Sequence, residues 1–261
     1  MFADYHVHTS FSDDSDCPME EMIRKALDLG MDEIAFTEHV DYGVKTDLNC
    51  DYERYFPLLD EMKKNYQGRI QIRKGIEFGV QSHTIRLFER DFEKYGFDFV
   101  ILSNHQIEDK EFWSFEFQEG KTQEAYQRAY YEAIYDVMQN YTGYSVLGHL
   151  DMIKRYDDAG EYPDERILDI VEKILRLAIA GGKGIEANTS CFHYGLKDLT
   201  PSRKILGLYH DLGGRIITIG SDTHDTNRLG DHIEETKEIL KEIGFTQYCT
   251  FSRMEPVFHD L

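Results

Sequence analysis

Histidine or a carboxylate recurs at the ends of six strand-like segments of this chain, and that recurrence constrains the fold more than any other feature. In order the ends read Asp4-Tyr5-His6-Val7-His8, Thr37-Glu38-His39, Gly75-Ile76-Glu77, Ser103-Asn104-His105, Gly148-His149-Leu150-Asp151 and Ser221-Asp222-Thr223-His224. Strand candidates lie at residues 5–8, 33–37, 70–77, 99–102, 145–147, 184–187 and 216–219. Between them run helix candidates at 19–29, 52–65, 85–95, 122–140, 164–180 and 202–212, then a last helix at 231–243 and a short strand at 248–251. Such βα units in succession predict a parallel sheet, open or closed. An open sheet draws its site from the two or three strands at a switch point. Only a closed barrel brings this many strand ends around one mouth. The expected fold is an α/β, TIM-like barrel.

Local chemistry agrees with these elements. Ile167, Ile170, Val171, Ile174, Leu175, Leu177 and Ala178 form one helical face, and Gly181-Gly182 stops it. Asp51 or Asn49 is placed to cap the helix that begins near Tyr52. No repeat, low-complexity tract or linker interrupts residues 1–261, which read as a single domain.

A hydrophobic content of 41% over 261 residues fills a core and excludes disorder. No apolar run is long enough for a membrane span, and Met1-Phe2-Ala3-Asp4 lacks the basic and apolar regions of a signal peptide. A soluble, cytoplasmic protein is expected, with no membrane partner. Cys17, Cys50, Cys191 and Cys249 are scattered without a CxxC pair and read as free thiols, Cys191 being a metal neighbour at most. The net charge of −20 argues against a nucleic-acid surface and fits recruitment of cations. An anionic substrate then needs a locally positive site, which bound divalent metals would provide.

His6 with His8, and Asp222 with His224, are two residues apart and form pincers if the strand continues through them. Imidazole with carboxylate is the ligand set of zinc, manganese or iron. Taken singly, each motif has a plain reading: a core or surface histidine, a helix cap, an exposed glutamate. Repetition at six strand ends favours metal, and the candidate ligands are too many for one ion. His83, His210, His232 and His259 fall on helices or in the tail and read as structural or solvated. Gly181-Gly182-Lys183-Gly184 lacks P-loop spacing, and no Gly-x-Ser-x-Gly offers a serine nucleophile.

At these residues, with the acids at Asp13-Asp14, the sequence resembles the polymerase-and-histidinol-phosphatase (PHP) superfamily across essentially its whole length. The resemblance implies a distorted (β/α)7 barrel holding three divalent ions, among zinc, manganese and iron. It implies His6, His8, Glu77 and Asp222 on one ion, and Glu77 bridging to a second held by His105 and His149. Asp14, His39 and His224 would hold the third, with Asp13 and Asp16 as alternatives to Asp14. Glu77, Asp222 and His224 would be the catalytic residues. Within the superfamily the layout is most similar to the histidinol-phosphate phosphatases. The insertion carrying Phe112-Trp113-Ser114, the segment from His149 to Tyr156, and Glu186-Ala187-Asn188-Thr189-Ser190 all match. One departure is Cys191-Phe192-His193, where such enzymes often carry a basic residue.

The expected activity is hydrolysis of a small phosphate monoester, most like L-histidinol phosphate, by metal-activated hydroxide at a trinuclear centre. Arg155 is the expected phosphate clamp, against the alternative of a surface pair with Asp157 or Asp158. Lys154 and His193 are the further substrate-contact candidates. The rival readings are a PHP-type phosphoesterase for a sugar or nucleotide phosphate, and an amidohydrolase-type enzyme, which would want a bridging lysine where Glu77 stands. A nuclease is disfavoured by the acidic charge. A non-catalytic metal-binding module would be expected to have lost ligands, and none is missing.

Overall fold

All the predicted barrel strands are present in the computed structural model, which describes residues 1–261. They are β1 (Ala3–Val7), β2 (Glu33–Phe36), β4 (Gln71–Gly79), β5 (Phe99–Ser103), β8 (Val146–Leu147), β9 (Gly184–Asn188) and β10 (Ile217–Gly220). They pair in parallel in that order, with β3 (His39–Val40) added beside the far end of β4. The barrel closes through a single bridge, Val7 opposite Thr223, where His8 N donates to Thr223 O at 2.9 Å. Gly220 makes this closure sterically feasible, because a Cβ there would lie 2.4 Å from Cβ of His6.

The helices α1 (Met19–Asp28), α2 (Tyr52–Asn65), α3 (Ile85–Lys94), α4 (Gln123–Asn140), α5 (Leu168–Ala180), α6 (Arg203–Asp211) and α7 (Ile233–Ile243) cover the outside. In α5 the predicted face is buried at Ile170, Val171, Ile174, Leu175 and Ala178, while Leu177 turns partly out. Each of the isoleucine, valine and leucine side chains among them contributes about 1.5–3 kcal/mol on burial. Asp51, not Asn49, caps α2, accepting from Glu53 N at 3.1 Å. Two predicted helices are shorter than expected. Ile167, at φ −122°, separates a 3-10 turn at Asp164–Arg166 from α5. His232, at φ +57°, delays α7 past Asp231. No helix is long and apolar enough to cross a membrane.

Of the small strands the sequence predicted only the one at 248–251, and it missed the others. β6 (Gln106–Ile107) and β7 (Lys110–Glu111) form a two-stranded flap after β5, and β11 (Gln247–Ser252) pairs antiparallel with β12 (Glu255–Asp260). β11 plugs the barrel opposite the histidine-bearing end. Cys249 and Phe251 join Ala3, Tyr5, Ala35, Phe99, Ile101 and Val146 in a separate apolar cluster inside the barrel.

A register shift in β1 between Asp4 and Val7 links the two ends of the barrel. Adjacent residues of a regular strand face opposite ways. Across this bulge Tyr5 meets Phe99 and Phe251, yet His6 also turns inward, to Glu77 and Glu186.

Candidate metal centre

Glu77 stands on the inner face of β4 and is buried, as are His6, His8, His105, His149 and Asp222 around it. Its two oxygens serve different groups. Oε2 lies 3.1 Å from His6 Nε2, 3.5 Å from His8 Nε2 and 3.0 Å from His39 Nε2. Oε1 lies 3.2 Å from His105 Nε2 and 2.9 Å from His149 Nε2. Asp222 divides in the same way. Its Oδ1 is 3.7 Å from His6 and 3.6 Å from His8, while Oδ2 accepts from Arg155 at 3.1 Å, Asn188 at 3.3 Å and Ser190 at 3.3 Å.

Asp14 Oδ1 approaches His39 Nδ1 at 3.4 Å and His224 Nε2 at 3.2 Å. Asp13 reaches only His39, at 3.6 Å, and commits its other oxygen to Lys45 at 2.7 Å. Of the three acids left open by the sequence, Asp14 therefore faces both imidazoles.

The pincers arise differently from the strand geometry expected. β10 stops at Gly220, and Asp222 adopts φ +54°, left-handed backbone that a non-glycine residue holds only when its surroundings enforce it. That turn, rather than strand alternation, aims Asp222 and His224 at the cavity. His8 likewise lies just past the end of β1.

Outer carboxylates orient the rings. Glu186 Oε1 pairs with His6 Nδ1 at 2.6 Å and its Oε2 accepts from His149 N at 2.8 Å. Asp41 Oδ1 pairs with His105 Nδ1 at 2.9 Å, and Ser103 Oγ donates to Glu77 Oε1 at 2.6 Å. With Nδ1 engaged in this way, Nε2 is the nitrogen left for the cavity. Glu186 and Asp41 were not predicted. A signal for Glu186 existed, since Gly184-Ile185-Glu186 repeats Gly75-Ile76-Glu77 at the same depth of another strand.

The electrostatics suit cations. Burial alone would raise the Glu77 carboxyl, but the imidazoles of His6 and His105 hold it well below the usual carboxylate range. Burial lowers His105, yet Asp41 and Glu77 push it up to about 9. His8 is held well below the usual histidine range by burial and by His39 and His224. His8 Nε2 and His224 Nε2 are buried without a hydrogen-bond partner. Such atoms cost about 1–3 kcal/mol each when left unpaired. Unpaired imidazole nitrogens beside carboxylates are a donor set that fits divalent transition metals.

A cavity of about 270 Å³ opens above this cluster, lined by Lys45, Trp113, Tyr156, Tyr194 and Arg155 among others. Arg155 is turned inward and buried, its Nη2 donating to Ser190 Oγ at 2.6 Å and Asn188 Oδ1 at 3.2 Å. The alternative pairing with Asp157 is absent, because Asp157 serves Gln123, Tyr126 and Gln127 instead. Lys154 does not come to this cavity: it is held by Asp151 and Asp164, each at 2.7 Å, beside a neighbouring cleft. His193 is exposed, and the next residue, Tyr194, takes the lining position expected of it. Cys191 Sγ bonds Thr189 O at 3.5 Å and takes no part in the ligand cluster.

A parallel barrel whose mouth gathers imidazoles and shared carboxylates defines a metal-dependent hydrolase. The chain belongs to the PHP domain family, which matches residues 4–190. It is 33% identical over 259 residues to a histidinol-phosphatase of Lactococcus lactis, covering 97% of this chain and 95% of the relative. A probable histidinol-phosphatase of Thermotoga maritima is 29% identical over 245 residues, covering 93% and 92%. The crystal structure of the histidinol phosphate phosphatase from Lactococcus lactis, complexed with zinc, L-histidinol and phosphate, superposes with a TM-score of 0.89. That pair shares 32% identity, and the match covers 98% of both chains.

Proposed function

We propose that the protein hydrolyses L-histidinol phosphate to L-histidinol and phosphate, using divalent metal ions held at the barrel mouth. The observation that carries this reading is the division of Glu77, one oxygen toward His6 and His8 and the other toward His105 and His149. A carboxylate so placed can bridge two ions. His6, His8, Glu77 and Asp222 would hold the first, and Glu77, His105 and His149 the second. Asp14, His39 and His224 would hold a third. Zinc is supported by the Lactococcus lactis complex, and manganese and iron suit the same ligands.

Bound ions of this kind supply activated water at neutral pH and neutralise phosphate oxygens. The chain's own groups do the rest. Arg155 contributes a guanidinium whose Nε–H has no protein partner and can donate to a phosphate oxygen. Asn188 and Ser190 fix that guanidinium, and Arg155 in turn steadies the Asp222 oxygen that faces away from His6 and His8. Trp113, Tyr156 and Tyr194 offer flat apolar faces to a heterocyclic leaving group. A cavity of about 270 Å³ suits a small monoester, and the net charge of −20 weighs against a nucleic-acid strand as substrate. Lys154 and His193 have no direct role in this scheme. The amidohydrolase reading loses support, because a glutamate occupies the central position where that class would want a lysine.

Steady-state kinetics with L-histidinol phosphate beside a panel of sugar and nucleotide phosphates tests the assignment. A kcat/KM at least ~100-fold higher for L-histidinol phosphate is expected, the discrimination that one well-formed pocket supplies. Equal or higher turnover of a sugar phosphate would move the enzyme to another substrate within the family.

A further inference from the structure

Glu38 is fully buried at the end of β2, and its three partners are neutral. Thr9 Oγ1 donates to Oε1 at 2.6 Å, while Thr9 N and Ser12 Oγ donate to Oε2 at 3.0 and 2.7 Å. A backbone N–H can only donate, so the Oε2 that meets Thr9 N is an acceptor, and a serine hydroxyl has one proton to give it. With that proton committed to Glu38, Ser12 Oγ is left as an acceptor. Two groups are placed to use it: His39 N at 3.1 Å and His8 Nδ1 at 3.1 Å. His8 must then carry its proton on Nδ1. Its Nε2 becomes a lone pair, and that atom is buried with no hydrogen bond, 3.5 Å from Glu77 Oε2 and 3.6 Å from Asp222 Oδ1.

We infer that Ser12 is a positioning residue for metal binding: by relaying from Glu38 it fixes His8 in the Nδ1–H tautomer and aims an unprotonated Nε2 into the cavity. The inference rests on the metal-binding reading above. His6 and His105 obtain the same orientation directly, from Glu186 and Asp41. No carboxylate reaches His8 Nδ1, so a hydroxyl carries the influence of Glu38 across the gap. The same oxygen holds the backbone of His39, which ties two ligand-bearing loops to one atom. Outer partners of this kind set the ligand's tautomer and orientation, and their loss weakens metal binding without removing a ligand.

Two experiments test it on the full-length protein. Imidazole 15N NMR of metal-free protein, with His8 assigned by comparison with His8→Gln, should find the His8 proton on Nδ1 and a bare Nε2. A proton on Nε2, alone or together with one on Nδ1, would overturn the inference. Zinc titrations of Ser12→Ala and Ser12→Thr give the second readout. Ser12→Ala should bind zinc about 10–100-fold more weakly at the affected site, with the far-UV spectrum of its metal-free form unchanged and its thermal midpoint lowered by the lost hydrogen bonds. Ser12→Thr retains the hydroxyl and should bind like wild type. Wild-type affinity in Ser12→Ala, or equal loss in Ser12→Thr, would overturn the role of Ser12. Failure of the wild type itself to bind zinc would instead remove the metal reading. If Ser12→Ala does not fold, the tautomer measurement decides alone.

Discussion

The two ends of the barrel interior are built from the same strands and are chemically opposite. At the plugged end, Tyr5 and Glu33 are buried polar residues whose needs the protein itself meets. The Tyr5 hydroxyl bonds Glu33 and the Phe251 backbone, and Arg73 donates to both Glu33 oxygens at 2.7 and 3.0 Å. At the open end, His8 Nε2 is buried and unpaired, and carboxylates sit among rings that could each carry a proton or a cation. The difference teaches that buried polarity alone does not mark function. A network closed within the protein is scaffold, whereas one closed only by something from outside is a site.

Substitutions at the two ends should therefore separate activity from stability. Glu77→Gln removes the carboxylate shared by five imidazoles, and kcat should fall by more than about 100-fold, beyond what loss of an outer partner costs. Metal content should fall with it. Wild-type kcat and metal content in that variant would dismiss the bridging assignment. Arg155→Ala should lower kcat/KM for the phosphate monoester by about 10–100-fold, equivalent to ~1.5–3 kcal/mol of charge-assisted hydrogen bonding. Its metal content should not change. Near-normal kinetics would leave phosphate capture to the metals.

The open end should also couple to protons. In the metal-free protein His105 is pushed up to about 9, so at neutral pH it holds a proton that an incoming ion must expel. Apparent zinc affinity should rise with pH by up to tenfold per unit for each proton displaced, from His105 and from His6 and His39, whose carboxylate neighbours also hold them well above the usual histidine range. Calorimetry in buffers of different ionisation enthalpy would detect the released protons, and an affinity independent of pH would contradict the proton's placement. The smallest catalytic effect belongs to the plugged end. Tyr5→Phe leaves the Glu33 carboxylate and the Phe251 N–H short of a partner and should cost about 1–3 kcal/mol of stability, read as a lower thermal midpoint. Metal content and kcat should stay at wild-type values. A large loss of activity in that variant would erase the distinction between the ends.

Much of this arrangement was legible in the sequence, because short apolar runs with histidine or acid at their ends are local signals. The barrel followed from how many of those ends had to meet. Three things were not local. Closure depends on one bridge between Val7 and Thr223 and on Gly220 lying against His6. The inward turn of Asp222 depends on left-handed backbone beyond the strand. Lys154 and Arg155 are neighbours in sequence but lie in a 3-10 turn, Met152–Tyr156, where successive side chains diverge by a third of a turn. One therefore reaches the metal cavity and the other an adjacent cleft. A turn at Thr189–Cys191 similarly precedes the loop in which Tyr194, rather than His193, reaches the cavity. The β11–β12 plug was half visible, since β11 reads as an apolar strand while β12 is largely exposed and carries little pattern.

The central claim is that the open end is completed by metal, and by more than one ion. Elemental analysis of the purified protein, paired with phosphatase assays before and after chelation, tests this most directly. More than one equivalent of transition metal per chain is expected, with activity lost in excess chelator and restored by added zinc or manganese. A protein that contains no metal and keeps full activity in excess chelator would contradict the account.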